Sequence, residues 1–158
     1  RTSKRTLLRQ EVAMLSPLVI CLALNIYWEA RSEDAKHGIY ALASPALVVL
    51  NRVKHKDYPN NICDVVKQSE TYHNGFPKKN KCQFSWYCDG KSDKPKDMVA
   101  WKWSQRIAEL VITGGIEDVT EGATHYHAYY VKPKWVKQKV FIKQIGSHLY
   151  YKGKKNGK

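Results

Sequence analysis

At 158 residues, 43% of them hydrophobic and 11% aromatic, the chain suits one compact catalytic-sized domain over residues 1–158, able to remove roughly two thirds of its unfolded surface from water. Its 27 Lys and Arg against 14 Asp and Glu leave a net charge of +13, so attraction to a polyanion that weakens with salt is expected. No internal repeat, heptad run, helix-turn-helix, zinc finger or RNA-binding sheet motif is present. Nucleic acid, anionic lipid and bacterial envelope polymers all qualify as the polyanion, a polyanionic substrate environment being the functional reading and a solvated basic surface the plainer alternative.

In chain order, Arg1, Lys4, Arg5 and Arg9 precede an apolar stretch from Met14 to Leu24. Pro17 and Asn25 interrupt the apolar run, which falls short of the roughly 18 residues of a membrane span and leads into Glu29 without a small-residue cleavage site. It therefore reads as a buried helix, neither a transmembrane segment nor a targeting signal. Leu18, Cys21, Leu22, Asn25 and Ile26 share one helical face, with Pro17 suited to the first turn. Gly38 to Val53 is a second helical pattern, which Ser44-Pro45 is expected to divide into two pieces. Tyr58-Pro59-Asn60-Asn61 reads as a turn before a short helix from Ile62 to Gln68, and Thr71 to Lys81 as a polar loop with Gly75 and Pro77. A third long helix is predicted from about Pro95 to Thr113, with Ala100, Trp103, Ile107 and Val111 on one face and Gly114-Gly115 closing it. Thr124 to Val131 alternates like a strand, with Thr124, Tyr126, Ala128 and Tyr130 on one side and His125, His127 and Tyr129 on the other. From about Lys152 the tail is basic and without apolar residues, and is predicted to fray.

Glu29 ends the apolar segment within Tyr27-Trp28-Glu29-Ala30-Arg31. A carboxyl among apolar neighbours is harder to ionise, so its pKa rises and it can carry a proton near neutral pH, as a general acid must. The plainer alternative is a solvent-facing helix-end glutamate paired with Arg31 or Lys36. Glu33 lies four residues on, where on a continuing helix its charge raises the Glu29 pKa further. Asp89 and Glu121 sit beside glycines in turns, where acidic residues are usually structural.

Five segments occur in a telling order: Tyr27-Trp28-Glu29-Ala30-Arg31, Leu50-Asn51-Arg52-Val53, Lys81 to Gly90, Thr120-Glu121-Gly122-Ala123-Thr124-His125-Tyr126-His127-Ala128, and Ile145-Gly146-Ser147-His148-Leu149-Tyr150. Their order and spacing resemble the spore-cortex-lytic type of bacterial and phage cell-wall hydrolase, over roughly Asn25 to Tyr151. The resemblance implies a mainly helical, lysozyme-like α+β domain with a small β element, similar to lytic transglycosylases, that acts on peptidoglycan with Glu29 as the catalytic acid. Trp28 stands where the family typically has Gly, and either walls the acid with an indole or obstructs a sugar subsite. Two additional residues around Ser44-Pro45 also depart from the family pattern.

Glycan cleavage by acid chemistry ordinarily uses two carboxyl groups, and no convincing second one stands out here. A lone acid matches lytic transglycosylases, in which the muramic acid's own 6-hydroxyl attacks; muramidase-type hydrolysis is the neighbouring outcome. Gln83 and Ser85 carry neutral donors and acceptors suited to N-acetyl and hydroxyl groups, and alternate with Phe84, a core residue. Thr124, His125, Tyr126 and His127 are expected to line the glycan cleft, and Trp135 is placed either to stack on a sugar or to close the core.

His125 and His127 also invite a zinc site recruiting His73 or Glu121, which would make the chain a metal-dependent peptidoglycan amidase. The spacing of structural zinc sites and the His-Glu-x-x-His helix are both missing, so no metal and no cofactor is expected. Of four cysteines, Cys21 reads as a buried free thiol, while Cys82 and Cys88 bracket the Gln-Phe-Ser segment as a staple, with Cys63 an alternative partner. The reading is a monomeric peptidoglycan glycosidase, plausible as a phage endolysin made in the host cytoplasm and acting in the periplasm or cell wall. Its rival from another class is a non-catalytic cationic binder of envelope polymers.

Overall fold

The computed structural model describes residues 16–30, 33 and 37–154. The basic N-terminal cluster, Arg31, Lys36 and the last four residues of the tail lie outside the described residues, and with them the proposed pairing of Glu29 to Arg31 or Lys36. Among the described residues no helix is long and apolar enough to cross a membrane.

Helix α1, Pro17–Glu29, begins on Pro17 as its first turn, where the missing N–H costs nothing. It is buried on more than one face, with Val19, Cys21, Leu22, Ala23, Asn25, Ile26 and Tyr27 all inside. It packs against α2 (Gly38–Lys54), α3 (Ile62–Val66) and α4 (Met98–Ile112). Asn61 caps α3 by accepting a bond from Asp64 N–H at 3.3 Å, and Asp97 caps α4 by accepting from Val99 and Ala100 N–H, each at 3.1 Å. Such caps satisfy donors that the first helical turn leaves open.

Helix α2 corrects the expected break, since Gly38 to Lys54 is continuous with Pro45 inside it. Pro45 cannot donate to the Ala41 carbonyl, but Ser44 and Pro45 are both fully buried, and the Ser44 hydroxyl donates to the Tyr40 carbonyl at 2.5 Å. Packing of both α2 faces outweighs the lost bond. In α4 the buried residues are Ser104, Ile107, Ala108 and Val111, whereas Trp103 is 61% exposed. Ile107 and Val111 are buried as expected, while Ser104 and Ala108, not Trp103 and Ala100, complete the buried face. Gly114, at φ +79°, and the bond from Gly115 N–H to Leu110 O at 2.7 Å close the helix as predicted.

The segment read as a polar loop is a hairpin: β1 (Ser69–Thr71) pairs antiparallel with β2 (Pro77–Cys82), turning through Gly75. Its residues are largely exposed, so no alternation of apolar side chains marked it. A second antiparallel sheet has the order β3 (His125–Ala128), β5 (His148–Lys152), β4 (Val140–Ile145), with Tyr126 opposite Tyr150. Tyr150, Ala123 and Val48 of α2 join sheet and helices in a small apolar cluster.

The expected Cys82–Cys88 staple is present, whereas the expectation of a free thiol at Cys21 is overturned. Cys21 of α1 is bonded to Cys63 of α3, and Cys82 to Cys88, so among the described residues no thiol is free. The first bridge closes a span of 42 residues and the second a span of 6. In the chain-entropy account, losing the first should cost about 4 kcal/mol and losing the second about 2 kcal/mol. Urea unfolding of Cys63→Ser and Cys82→Ser variants should therefore show the larger midpoint drop for Cys63→Ser.

Candidate active site

Glu29 is the last residue of α1, and its position is set by side chains of that helix that reach outward to loops. Asn25 accepts a buried bond from the Trp86 indole at 2.9 Å. The Tyr27 hydroxyl accepts from Lys96 and Asp97 N–H, each at 3.1 Å. The Trp28 indole N–H donates to Asp93 O at 3.0 Å, and its ring meets Tyr27 edge-on. Trp28 is thus tied to the loop that leads into α4.

The Glu29 carboxyl faces β3, where the Tyr126 hydroxyl donates to its Oε1. Burial raises the Glu29 pKa above the ordinary 4.5, while the Tyr126 bond and the Arg52 charge pull it the other way. Burial wins because it penalises the carboxylate by more than one donor and one cation return. Tyr126 itself is held well above its ordinary value, chiefly by burial and then by the Glu29 charge. The phenol is therefore a donor to Oε1, and no hydrogen bond to Oε2 from the described residues accompanies it.

Arg52, in the last turn of α2, is buried. Its Nε donates to the Thr124 carbonyl at 2.8 Å and its Nη1 to Gln83 Oε1 at 3.4 Å. The guanidinium lies over the rings of Tyr58, at 5.0 Å, and Phe84, at 5.5 Å. Burial lowers its pKa, with the charges of Tyr58, Tyr126 and Glu29 opposing. Next to it, the Asn51 amide donates to Asp118 Oδ2 (3.0 Å), Thr120 Oγ1 (3.3 Å) and Ala123 O (2.9 Å), fixing the loop that delivers β3. Burial acts to raise Asp118, but bonds from Thr120, Asn51 and Gly122 outweigh it and hold the carboxyl below its ordinary value.

Gln83, Thr124 and Tyr126 are thus gathered around Glu29 and Arg52. Ser85 is exposed at the start of a 3-10 turn, Ser85–Cys88, and Phe84 is core. His125 and His127 point to the opposite side of β3. They pack against Trp135 at 5.1 and 5.7 Å, and His127 also stacks on Tyr151. The His127 ring nitrogens lie 2.7 Å from Ala128 O and 2.8 Å from the Tyr151 hydroxyl. Burial, assisted by Arg52, Lys139 and His55, lowers His125 to about 4, so it is neutral at physiological pH. Among the described residues no group of three His, Cys, Asp or Glu side chains is placed to hold a metal.

Glu33 does not occupy the place expected of it. α1 ends at Glu29, so Glu33 is not one helical turn further on, and its carboxylate is engaged by the turn between β4 and β5, accepting from Ser147 N–H at 2.9 Å. Glu121 pairs with Lys143 at 2.9 Å, and Asp89 accepts from Lys91 N–H at 2.8 Å, the structural roles predicted for both. Asn51 and Arg52 were quoted in a motif without a role. Their signal was two polar residues interrupting an apolar helical run.

A half-buried glutamate at the end of a central helix, faced by a small antiparallel sheet, belongs to a lysozyme-like α+β domain. Residues 35–151 match the model of the cell wall hydrolase family, and the chain belongs to that family. The matched span begins after Glu29. Among solved structures, the catalytic domain of the germination-specific lytic transglycosylase SleB from Bacillus anthracis is similar at a TM-score of 0.62 and 23% identity, over 87% of this chain and 95% of that one. The catalytic domain of the Bacillus cereus SleB protein gives 0.59 and 24%, over 87% and 91%. No curated protein matches by sequence.

A raised carboxyl pKa has a consequence for stability. The neutral form of Glu29 is favoured by folding, so its contribution is complete below the unfolded value and is lost as pH rises through the folded one. The Tm of Glu29→Gln relative to wild type should therefore increase from pH 4 to pH 8. Tyr126→Phe removes a donor to the charged form, and should move the Glu29 titration, followed by carboxyl ¹³C NMR, to higher pH.

Proposed function

We propose that the chain cleaves the glycan strand of peptidoglycan between N-acetylmuramic acid and N-acetylglucosamine, with Glu29 as its single acid–base group, as a lytic transglycosylase. The observation that carries this reading is the half-buried Glu29 carboxyl, its pKa raised and its Oε1 bonded by the Tyr126 phenol, whose own pKa is held well above the ordinary value. Oε2 delivers its proton to the glycosidic oxygen as the bond to C1 of the muramic acid breaks. The 6-hydroxyl of the same sugar then bonds to C1, and its proton passes to the Glu29 carboxylate, restoring the acid and leaving a 1,6-anhydro end.

The commitments of the other nearby carboxylates favour this over hydrolysis through a second carboxylate. Glu33 has no exposed side-chain surface, Asp118 is bound to Asn51, Thr120 and Gly122, and Glu121 is paired with Lys143. Likeness to a domain named a lytic transglycosylase points the same way. Gln83, Ser85, Thr124 and Tyr126 supply polar groups for the sugar, while His125 and His127 support the far side of β3 and so the wall of the cleft. The net charge of +13 suits work among anionic envelope polymers outside the cytoplasm. A single catalytic domain acting as a monomeric phage endolysin, without a cofactor, completes the reading.

Digestion of purified peptidoglycan with product masses read out is the test. Anhydro-muramyl ends are expected; reducing ends would mean hydrolysis, free peptides an amidase, and no products a binder. Glu29→Gln should lower the rate by roughly 10²–10⁴-fold in a folded protein. The wild-type rate should fall on the alkaline side at a pH above the ordinary carboxyl range.

A further inference from the structure

Glu33 is the buried carboxylate that the chemistry above does not use, and a turn is built around it. Its side chain has no exposed surface. Oε1 accepts from both the N–H and the hydroxyl of Ser147, at 2.9 and 2.5 Å. His148 Nδ1 lies 3.1 Å from Oε1 and His37 Nδ1 lies 3.3 Å from Oε2. Gly146, at φ +58°, backs onto the same group, and a Cβ there would stand 2.4 Å from Oε2. Glycine is required at this place for its conformation and also for the room it leaves.

Two connections run from this carboxylate to the acid. Along the chain, Glu33 lies four residues after Glu29, and its own N–H donates to Ala30 O at 3.0 Å. Through space, the His148 ring packs edge-on against Tyr126 at 5.1 Å, and Tyr150 flanks Tyr126 at 5.5 Å. Tyr126 in turn donates to Glu29. We propose that Glu33 is a positioning residue for the Glu29–Tyr126 pair: it fastens the chain just beyond the acid to the β4–β5 turn and, through His148, keeps the phenol aimed at Oε1.

Side-chain burial rules out contact with a sugar, so Glu33 acts only through its neighbours. Among the described residues the groups facing it are His37, Ser147 and His148, with Tyr150 within electrostatic reach of both Glu33 and Glu29. This assignment rests on the reading of Glu29 as the acid, yet its decisive measurement does not need catalysis. If Glu33 acted on Glu29 by charge alone, neutralising it would lower the Glu29 pKa, because a nearby negative charge disfavours the carboxylate. If it aims the phenol, neutralising it weakens a donor to the carboxylate and raises that pKa. The two explanations differ in sign.

The experiment is a carboxyl ¹³C NMR titration of Glu29 in the full chain for wild type, Glu33→Gln, Ser147→Ala and Tyr126→Phe. An upward shift of Glu29 in Glu33→Gln, toward the value in Tyr126→Phe, is expected. The kcat on peptidoglycan should fall roughly tenfold to a hundredfold with KM nearly constant. Adding Glu33→Gln to Tyr126→Phe should produce little further loss, since coupled residues are not additive. Ser147→Ala, which keeps Glu33, should move the titration the same way by less, and serves if Glu33→Gln does not fold. A downward or absent shift in these variants, or full additivity with Tyr126→Phe, overturns the proposal. Undiminished activity of Glu29→Gln would instead sink the reading of the acid while leaving the sign of the titration shift to be judged by itself.

Discussion

The site depends on the contact between the half-buried Glu29 carboxyl and the Tyr126 phenol, which holds an ionisable group partly out of water. An unpaired buried carboxylate is so unfavourable that the group ordinarily takes up a proton instead. At Glu29 the cost is only partly offset, by one phenol donor and one guanidinium. Partial compensation leaves the carboxyl above its ordinary pKa, without the full set of donors that would hold it as a carboxylate.

That balance depends on parts drawn from distant places in the chain. Tyr126 stands on β3, whose position is set by pairing with β5 and by the Asn51 amide holding the loop before it. Arg52 stays near the acid because Thr124 O, Gln83 and two aromatic rings hold its guanidinium. Glu29 is fixed by a helix bonded covalently to α3 and tied by Asn25, Tyr27 and Trp28 to the segments around Trp86, Asp93 and Asp97. Adjacent residues of one helix thus serve separate loops, and the acid at its end inherits the rigidity of them all.

Several features were legible from local pattern because local physics decides them. Pro17 opens α1 and Gly114-Gly115 closes α4, as the backbone chemistry of those residues requires. The alternation of Thr124 to Val131 separates Tyr126 from His125 and His127, and those side chains do lie on opposite faces of β3. Other features misled because local preference was not the deciding term. Proline argues against a continuous helix, yet burial of Ser44 and Pro45 holds α2 together. Trp103 is the most apolar-looking member of its helical stripe, but smaller residues, Ser104 and Ala108, allow close approach to α1 and take the buried face. The β1–β2 hairpin has mostly exposed residues, so no hydrophobic period announced it.

By itself the amino-acid sequence determined the helical character of the segment that ends in Glu29, the strand that faces it and the cell-wall family to which the chain belongs. These follow from residue chemistry and from spacing within a few turns. Only the tertiary structure decided that Glu33 is enclosed by a turn while Glu29 faces Tyr126, that Cys21 is paired with Cys63, and that Asn51 and Arg52 hold the segment leading into β3. The reason is physical: protonation, pairing and burial depend on what arrives from elsewhere in the chain. Glu29 and Glu33 are the same residue four positions apart, and nothing short of packing distinguishes the one facing a phenol from the one enclosed by a turn.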